Sequence, residues 1–351
     1  MKKRILAAIL YHSGILWLKL LWIKMFGSKK LRILCYHRVL DLDRDEFEFN
    51  DDLVDATSSE FEQQMQFVSK HFNAVTFEKL TEYKKKGSFP RNSLIITFDD
   101  GYKDNYEIAY PILKKYGIPA TIFLVTDYIG DNKAFWWDKI DYYIKKTNEK
   151  EVAFELNGRA IKYDLSNRGK KLYAIKNINE IVTELRNNNR DREAEEILNQ
   201  LEESLNVDIS PSVIKDHILS WDNVREMLNE GIEFGSHTAR HRIMTNLSFE
   251  EIKDEIADSS HKIEQETAKA PRVFAYPAGL YNKDCIKALE QSEIEFGCSY
   301  NSFAANKIES LYKNPYELKR MDVVFGNGMK MFKANLCFTK LMGLKMPEIM
   351  V

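Results

Sequence analysis

SLIITFDDGY, Ser93–Tyr102, is a short, β-branched apolar run that stops at two adjacent carboxylates and a glycine. Its first six residues have the length and composition of a buried strand. Asp99 and Asp100 therefore fall where the strand runs out, and Gly101 lets the backbone turn there. Two neighbouring carboxylates repel each other unless a shared proton or a bound cation compensates. A metal ion held by one of them would leave the other as a base. The plain alternative is an Asp-Asp-Gly turn on the surface, and what argues against it is a second stretch, GSHTARH, Gly235–His241.

Working outward, a helix from about Asn105 to Tyr116 precedes a strand at Ala120–Val125, a strand-helix-strand unit whose crossover makes the strands parallel. The alternation recurs, with strands expected at Leu31–Tyr36, Ile232–Gly235, Val273–Tyr276, Ile294–Ser299 and Leu318–Val324, and with a helix opened by the capping pair Ser248 and Glu251. The fold class expected is α/β, a distorted (β/α) barrel of TIM-like type. Between about residues 128 and 217 the rhythm breaks. A helix opening near Ala134, a hairpin turning at Asn157–Gly158 and a charged helical stretch from Asn179 to Leu205 read as a helical and hairpin insertion on the rim. The expected organisation is an apolar N-terminal helix over residues 1–30, a barrel over 31–327 carrying the insertion, and an apolar tail over 328–351. The acidic stretch Asp41–Asp52 reads as a solvated loop.

A formal net charge of −2 over 351 residues offers nucleic acid no electrostatic hold, and no such partner is expected. The four cysteines show no paired spacing and read as buried thiols. Residues 5–23 are apolar but interrupted by His12 and Lys19, with Trp17 and Trp22 near the end and a basic stretch in place of a small-residue cleavage site. A helix lying in the membrane interface fits this pattern, with a marginal span or a helix docked on its own domain as alternatives. The location expected is the cytoplasm or the cytoplasmic face of the membrane, or else export on an uncleaved anchor.

Polar residues suited to chemistry follow several strands at one end: His37, then Asp99 and Asp100, then His237 and His241, then Pro277-Ala-Gly279. In a barrel that end carries the active site. Two imidazoles four residues apart, with Thr238 between them, can converge on one ion, and a carboxylate from another strand completes a three-ligand site open to water and substrate. Trp136 and Trp137 offer rings for stacking on sugars or for packing a core.

The pair of stretches TFDDG (97–101) and HTARH (237–241) resembles the first and second motifs of the polysaccharide deacetylase family, carbohydrate esterase family 4, over about Leu31–Val324. The resemblance implies a metal-dependent hydrolase that removes acetyl groups from N-acetylated sugars of a poly- or oligosaccharide or glycan precursor. It implies Asp100, His237 and His241 as metal ligands and Asp99 as general base. Zinc suits those ligands best, and cobalt, nickel or manganese could bind. The family's third motif has an arginine and a tyrosine where this chain has Ala275 and Ala278. The tyrosine's part is a backbone N–H, so Ala278 is expected to serve as oxyanion donor, and Arg320 is expected to replace the missing arginine as orienter of the base. The late leucine-histidine motif is also missing. The subgroup with an early Tyr-His pair, matched by Tyr36-His37, implies His37 as general acid, a structural role bonded to the Asp41 loop being the alternative. Tyr102, Tyr276, Trp136 and Trp137 are expected on the substrate. Two histidines and a carboxylate also build oxygenase iron sites, which would leave Asp99 unexplained. The functional alternative is a carbohydrate-binding member of the fold that has lost catalysis.

Overall fold

A computed structural model describes residues 2–27, 30–43, 46–131, 133–300 and 305–338. The chain forms two compact units, one of Met1–Asp41, Val54–Ile129 and Leu219–Val351, the other of Leu42–Leu53 and Gly130–Ile218.

Seven parallel strands organise the first unit: β1 (Lys30–Tyr36), β2 (Ser93–Phe98), β3 (Ala120–Leu124), β4 (Glu233–Ser236), β5 (Val273–Ala275), β6 (Phe296–Tyr300) and β7 (Leu318–Asp322). They pair in chain order, and β7 returns to β1, which closes the barrel. The ring is uneven. β1 and β2 share five registered pairs, whereas β4 meets β5 only at Ser236 and Phe274. Every residue of β2 and β3 is buried, as expected of strands covered on both faces, which is why they read as unbroken apolar runs. Ile33, Ile95, Phe123, Val273, Phe296 and Leu318 share one core with Phe77 and Leu80 of the helix Phe77–Lys86. That helix is fixed by the buried Glu233 of β4, whose carboxylate accepts the N–H groups of Phe77 (2.9 Å) and Glu78 (2.8 Å) and the hydroxyl of Thr121 (2.6 Å).

The helix expected from Asn105 begins as a π turn, Asn105–Ala109, and continues as Tyr110–Tyr116. The helix after Ser248 runs Phe249–Thr267 with both arms of its capping box formed. The last strand stops at Asp322, short of Val324. At the N-terminus a single expected helix is two, α1 (Lys2–His12) and α2 (Ile15–Phe26), broken at Gly14 and bent by 73°. Among the described residues no single helix is long and apolar enough to cross a membrane. In the tail, α3 (Gly328–Cys337) buries Met331, Phe332 and Leu336; the rest of the apolar tail, with Leu341 and Met342, lies outside the described residues.

The second unit has its own core, to which Tyr143, Ile178, Val182, Ile197 and Leu201 contribute. The hairpin turns at Asn157 (φ 54°) and Gly158 (φ 70°), the two left-handed residues that a two-residue type I′ turn requires. The acidic stretch expected to be a solvated loop largely belongs here. Phe49 is buried and stacks on His217 at 3.7 Å, and Asp138 accepts both the Asn50 N–H and His217 Nε2 at 3.0 Å. The two tryptophans are engaged in the same packing. Trp137 is buried and stacks on Phe135 (4.7 Å, 7° between planes), and the Trp136 ring holds the Arg186 guanidinium at 5.4 Å.

Candidate active site

Strand β2 delivers Asp99 and Asp100 because its last hydrogen bond, from the Asp99 N–H to the Tyr36 carbonyl (2.9 Å), is followed at once by a left-handed turn. Asp100 has φ 72° and Gly101 φ 82°, and a Cβ on Gly101 would stand 2.7 Å from a methyl of Ile129. Glycine is therefore required there on two counts. Strand β4 delivers His237, and the loop after it is equally constrained: Thr238 has φ 69°, His241 φ 58°. The buried carboxylate of Glu255 pins this loop by accepting the N–H groups of Ala239 and Arg240 (both 3.0 Å) and Arg240 Nε (2.6 Å). Nine non-glycine residues among those described have positive φ. Four of them, Asp100, Thr238, His241 and Ala278, lie in the loops at the strand ends, and a β-branched residue such as Thr238 does not adopt this conformation without a cost elsewhere repaid by its surroundings.

Asp100, His237 and His241 converge. Their ligand atoms lie within 4.8 Å of one another, with Asp100 Oδ1 3.7 Å from His237 Nε2 and 3.6 Å from His241 Nε2. Those separations exceed a hydrogen bond. Donors about 2.0–2.1 Å from a common ion at tetrahedral angles stand about 3.4 Å apart, so the spacing suits three ligands of one divalent ion. His237 Nδ1–H donates to the Ala275 carbonyl at 2.8 Å, which leaves the Nε2 lone pair facing Asp100. Burial pushes the His237 pKa down to about 4, so the ring is neutral and able to ligate at pH 7.

Asp99 is engaged differently. Arg320, from β7, donates Nη1 to Oδ1 (2.5 Å) and Nη2 to Oδ2 (2.7 Å), a bidentate clamp in which both partners are almost wholly buried. Burial by itself would raise the Asp99 pKa, but Arg320, then His237, outweigh it and hold the carboxyl well below the usual carboxylate range. Cys35 adds a weak thiol contact to Oδ2 at 3.6 Å, and burial keeps that thiol protonated. Cys35, His37 and Asp99 therefore also cluster within 4.8 Å, but Asp99 is committed to Arg320 and Cys35, and His37 Nδ1 to Asp55.

His37 reaches the same cluster. Its partner is Asp55, on the short strand Val54–Ala56, rather than the Asp41 loop: Asp55 Oδ2 accepts the His37 backbone N–H (2.5 Å) and stands 3.3 Å from Nδ1. Burial would push His37 down, yet the hydrogen bond and charge of Asp55, followed by the charges of Asp100 and Asp99, raise it to about 10. The segment is held from below, since Asn105 Nδ2 donates to the His37 carbonyl (2.9 Å) and Asp104 accepts Arg38 Nε (2.8 Å) and the Val39 N–H (2.9 Å). Sequence reasoning missed Asp55 and Asp104. Asp55 lies in a three-residue strand with no pattern of its own; Asp104 was visible three residues after Gly101, though nothing local marks its target.

Ala278 follows β5 in a tight turn, with φ 52°, an exposed position, and a backbone N–H that donates to no group among the described residues. Gly279 beside it has φ 70°, and a Cβ there would fall 2.2 Å from Tyr300. The tyrosines expected on the substrate are placed otherwise. Tyr102 is fully buried under the Arg38 guanidinium (4.4 Å), and Tyr276 is fully buried with its hydroxyl on the Tyr316 carbonyl (3.0 Å). Both side chains serve packing, as do Trp136 and Trp137 in the second unit.

A family model described as polysaccharide deacetylase matches residues 86–297. YxkH of Bacillus subtilis, which carries a polysaccharide deacetylase name, is 23% identical over 296 residues, 83% of this chain and 72% of that one. The poly-beta-1,6-N-acetyl-D-glucosamine N-deacetylase of Staphylococcus epidermidis is 26% identical over 260 residues, 74% of this chain and 66% of that one. Among solved structures, IcaB from Ammonifex degensii superposes with a TM-score of 0.55 at 16% identity, covering 89% of this chain and 98% of that one.

Proposed function

The chain belongs to the polysaccharide deacetylase family, and we propose from its site that it hydrolyses the acetamido group of N-acetylhexosamine residues in a glycan polymer with the aid of one divalent ion. It is a hydrolase that removes acetyl groups from glycans. The polymer is proposed as a β-1,6-linked N-acetylglucosamine chain, on the strength of the name carried by the Staphylococcus epidermidis relative, of which this chain spans 66%. One observation carries the reading: a three-donor cluster of Asp100, His237 and His241 directly beside a second aspartate that a buried arginine clamps.

Asp100, His237 and His241 would hold the ion, zinc by the character of the donors, and it would supply Lewis acidity and lower the pKa of the attacking water. Asp99, held ionised and aimed by Arg320, accepts the proton of the attacking water. The Ala278 N–H, committed to nothing else among the described residues, meets the charge that develops on the acyl oxygen. His37, protonated through its contact with Asp55, gives a proton to the departing nitrogen, which would otherwise leave as an amide anion.

Metal analysis of the purified protein and acetate release from N-acetylglucosamine oligomers test the reading. Wild type is expected to release acetate, and Asp99→Asn to keep its metal while losing about 10²-fold or more in turnover. A metal-bearing protein that frees no acetate from any amide or ester substrate would favour the binding-only alternative.

A further inference from the structure

Nine of the fourteen large hydrophobic side chains exposed among the described residues fall within residues 5–26. α2 is apolar around most of its circumference. Leu16, Leu20 and Ile23 are buried against the first unit, while Trp17, Leu18, Leu21, Trp22, Met25 and Phe26 are 47–67% exposed. Such a concentration on one helical hairpin is the mark of an interaction surface rather than of scattered exposure.

We propose that α1 and α2 form a lipid-docking surface that lies in the interface of an anionic bilayer. Charge selects this occupant. Residues 1–30 hold seven lysines and arginines and no carboxylate, and residues 323–347, which include the adjacent α3, likewise hold none, although the whole chain is formally −2. A second copy meeting this face would bring two cationic rims together, whereas anionic headgroups neutralise one. The cations stand where a headgroup layer would meet them. Lys19 Nζ lies 3.9 Å from the Trp22 ring and Lys333 Nζ 5.7 Å from the Trp17 ring, and because Trp17 and Trp22 flank Leu18, Leu21 and Met25 on the helix, a lysine–indole pair borders the apolar face on either side.

Length decides between lying and crossing. Twelve residues of α2 extend about 18 Å against a hydrocarbon core of about 30 Å, and the 73° bend at Gly14 prevents α1 from extending it in line. α2 is also fastened to the body. Asn92 Nδ2 donates to the Ile23 carbonyl (3.1 Å) and Arg91 Nη1 to the Phe26 carbonyl (2.9 Å), both from the N-terminal end of β2, while Asp100 follows its C-terminal end. Docking through this face therefore leaves the site accessible.

The test is sedimentation of the full chain with vesicles of phosphatidylcholine alone and of phosphatidylcholine with phosphatidylglycerol. Wild type is expected to partition onto the anionic vesicles, to be released by salt and by alkaline carbonate, and to show a blue shift of tryptophan fluorescence. Lys19→Gln with Lys24→Gln should weaken partition about 30-fold at low salt. Trp17→Glu with Leu21→Glu, exposed positions that leave the buried stripe intact, should abolish it. All variants should release acetate from a soluble oligomer at the wild-type rate, which separates this proposal from the catalytic one. Absence of partition onto anionic vesicles, a dimer that shields Trp17 without lipid binding, or resistance to carbonate extraction would each overturn it.

Discussion

The sharpest consequence of the site's electrostatics concerns a residue remote from the metal ligands, Asp55. Asp55→Asn keeps an oxygen to accept the His37 backbone N–H, so the segment should fold, but it removes the charge that holds the imidazolium. His37 is raised from 6.5 to about 10 in the intact site. A raised histidine is fully protonated below its pKa and loses the proton only as pH climbs through it, so wild type at pH 8 has about 99% of His37 in the acid form. Without Asp55, burial pulls downward against only the charges of Asp100 and Asp99, and a pKa back near the ordinary 6.5 leaves about 3% protonated at pH 8. The expected loss is about 30-fold in kcat/KM at pH 8, shrinking to less than twofold at pH 6 and below. An ion bound at Asp100 lowers His37 in both proteins, so both alkaline limbs move to lower pH while the separation between them persists. The assay is acetate release from N-acetylglucosamine oligomers between about pH 5.5 and about pH 10.5, wide enough to take in the alkaline limb of each protein, with metal content measured in parallel. An alkaline limb that does not move, or a loss equal at every pH, would refute the assignment of His37 as the acid tuned by Asp55.

Arg320→Met leaves the Asp99 carboxylate buried without its clamp and should lower stability at pH 7 by about 3–5 kcal/mol, read by urea unfolding of metal-free protein. The deficit should be smaller at pH 5, because burial then raises the Asp99 pKa and a protonated carboxyl is no longer a buried anion. His241→Ala should reduce bound metal well below one ion per chain, measured by elemental analysis after dialysis, with thermal stability of the metal-free protein little changed. Gly279→Ala should cost activity by displacing the Ala278 N–H against Tyr300 while leaving metal content intact, a combination that kinetics and metal analysis together can read.

Local sequence was enough for the parts of this molecule that local physics determines. The unbroken apolar runs of β2 and β3 report burial on both faces, and Asp100 with Gly101, or Asn157 with Gly158, announce left-handed turns by residue type alone. Asp100 could be matched to His237 and His241 because Asp100 and His237 follow strand ends directly and His241 lies four residues after His237 in the same loop, where barrel geometry gathers them. Asp55 could not be matched to His37, since its strand is three residues long and pairs with only Arg38 and Val39. The tyrosines mislead for a related reason: Tyr102 and Tyr276 sit next to motif residues in sequence, yet their side chains turn into the body. Proximity along the chain fixes where a backbone goes, and only packing fixes where a ring points. The break in the N-terminal apolar run at Gly14 also had a visible cause that the hydropathy of the whole stretch obscured.

Arg320 shows what closure of the ring adds. It stands 221 residues from Asp99, but β7 pairs with β1 and β1 with β2, so the two side chains meet across one intervening strand. A guanidinium on both oxygens makes Asp99 a weaker base than a free carboxylate, which conflicts with its role only if basicity is considered alone. Burial without the arginine would favour the protonated form, which cannot accept a proton at all. The clamp keeps Asp99 ionised down to low pH, while Asp55 keeps His37 protonated to about 10. Base and acid therefore hold their working forms together across the neutral range, which is the condition that a single turnover imposes on two groups sharing one cluster.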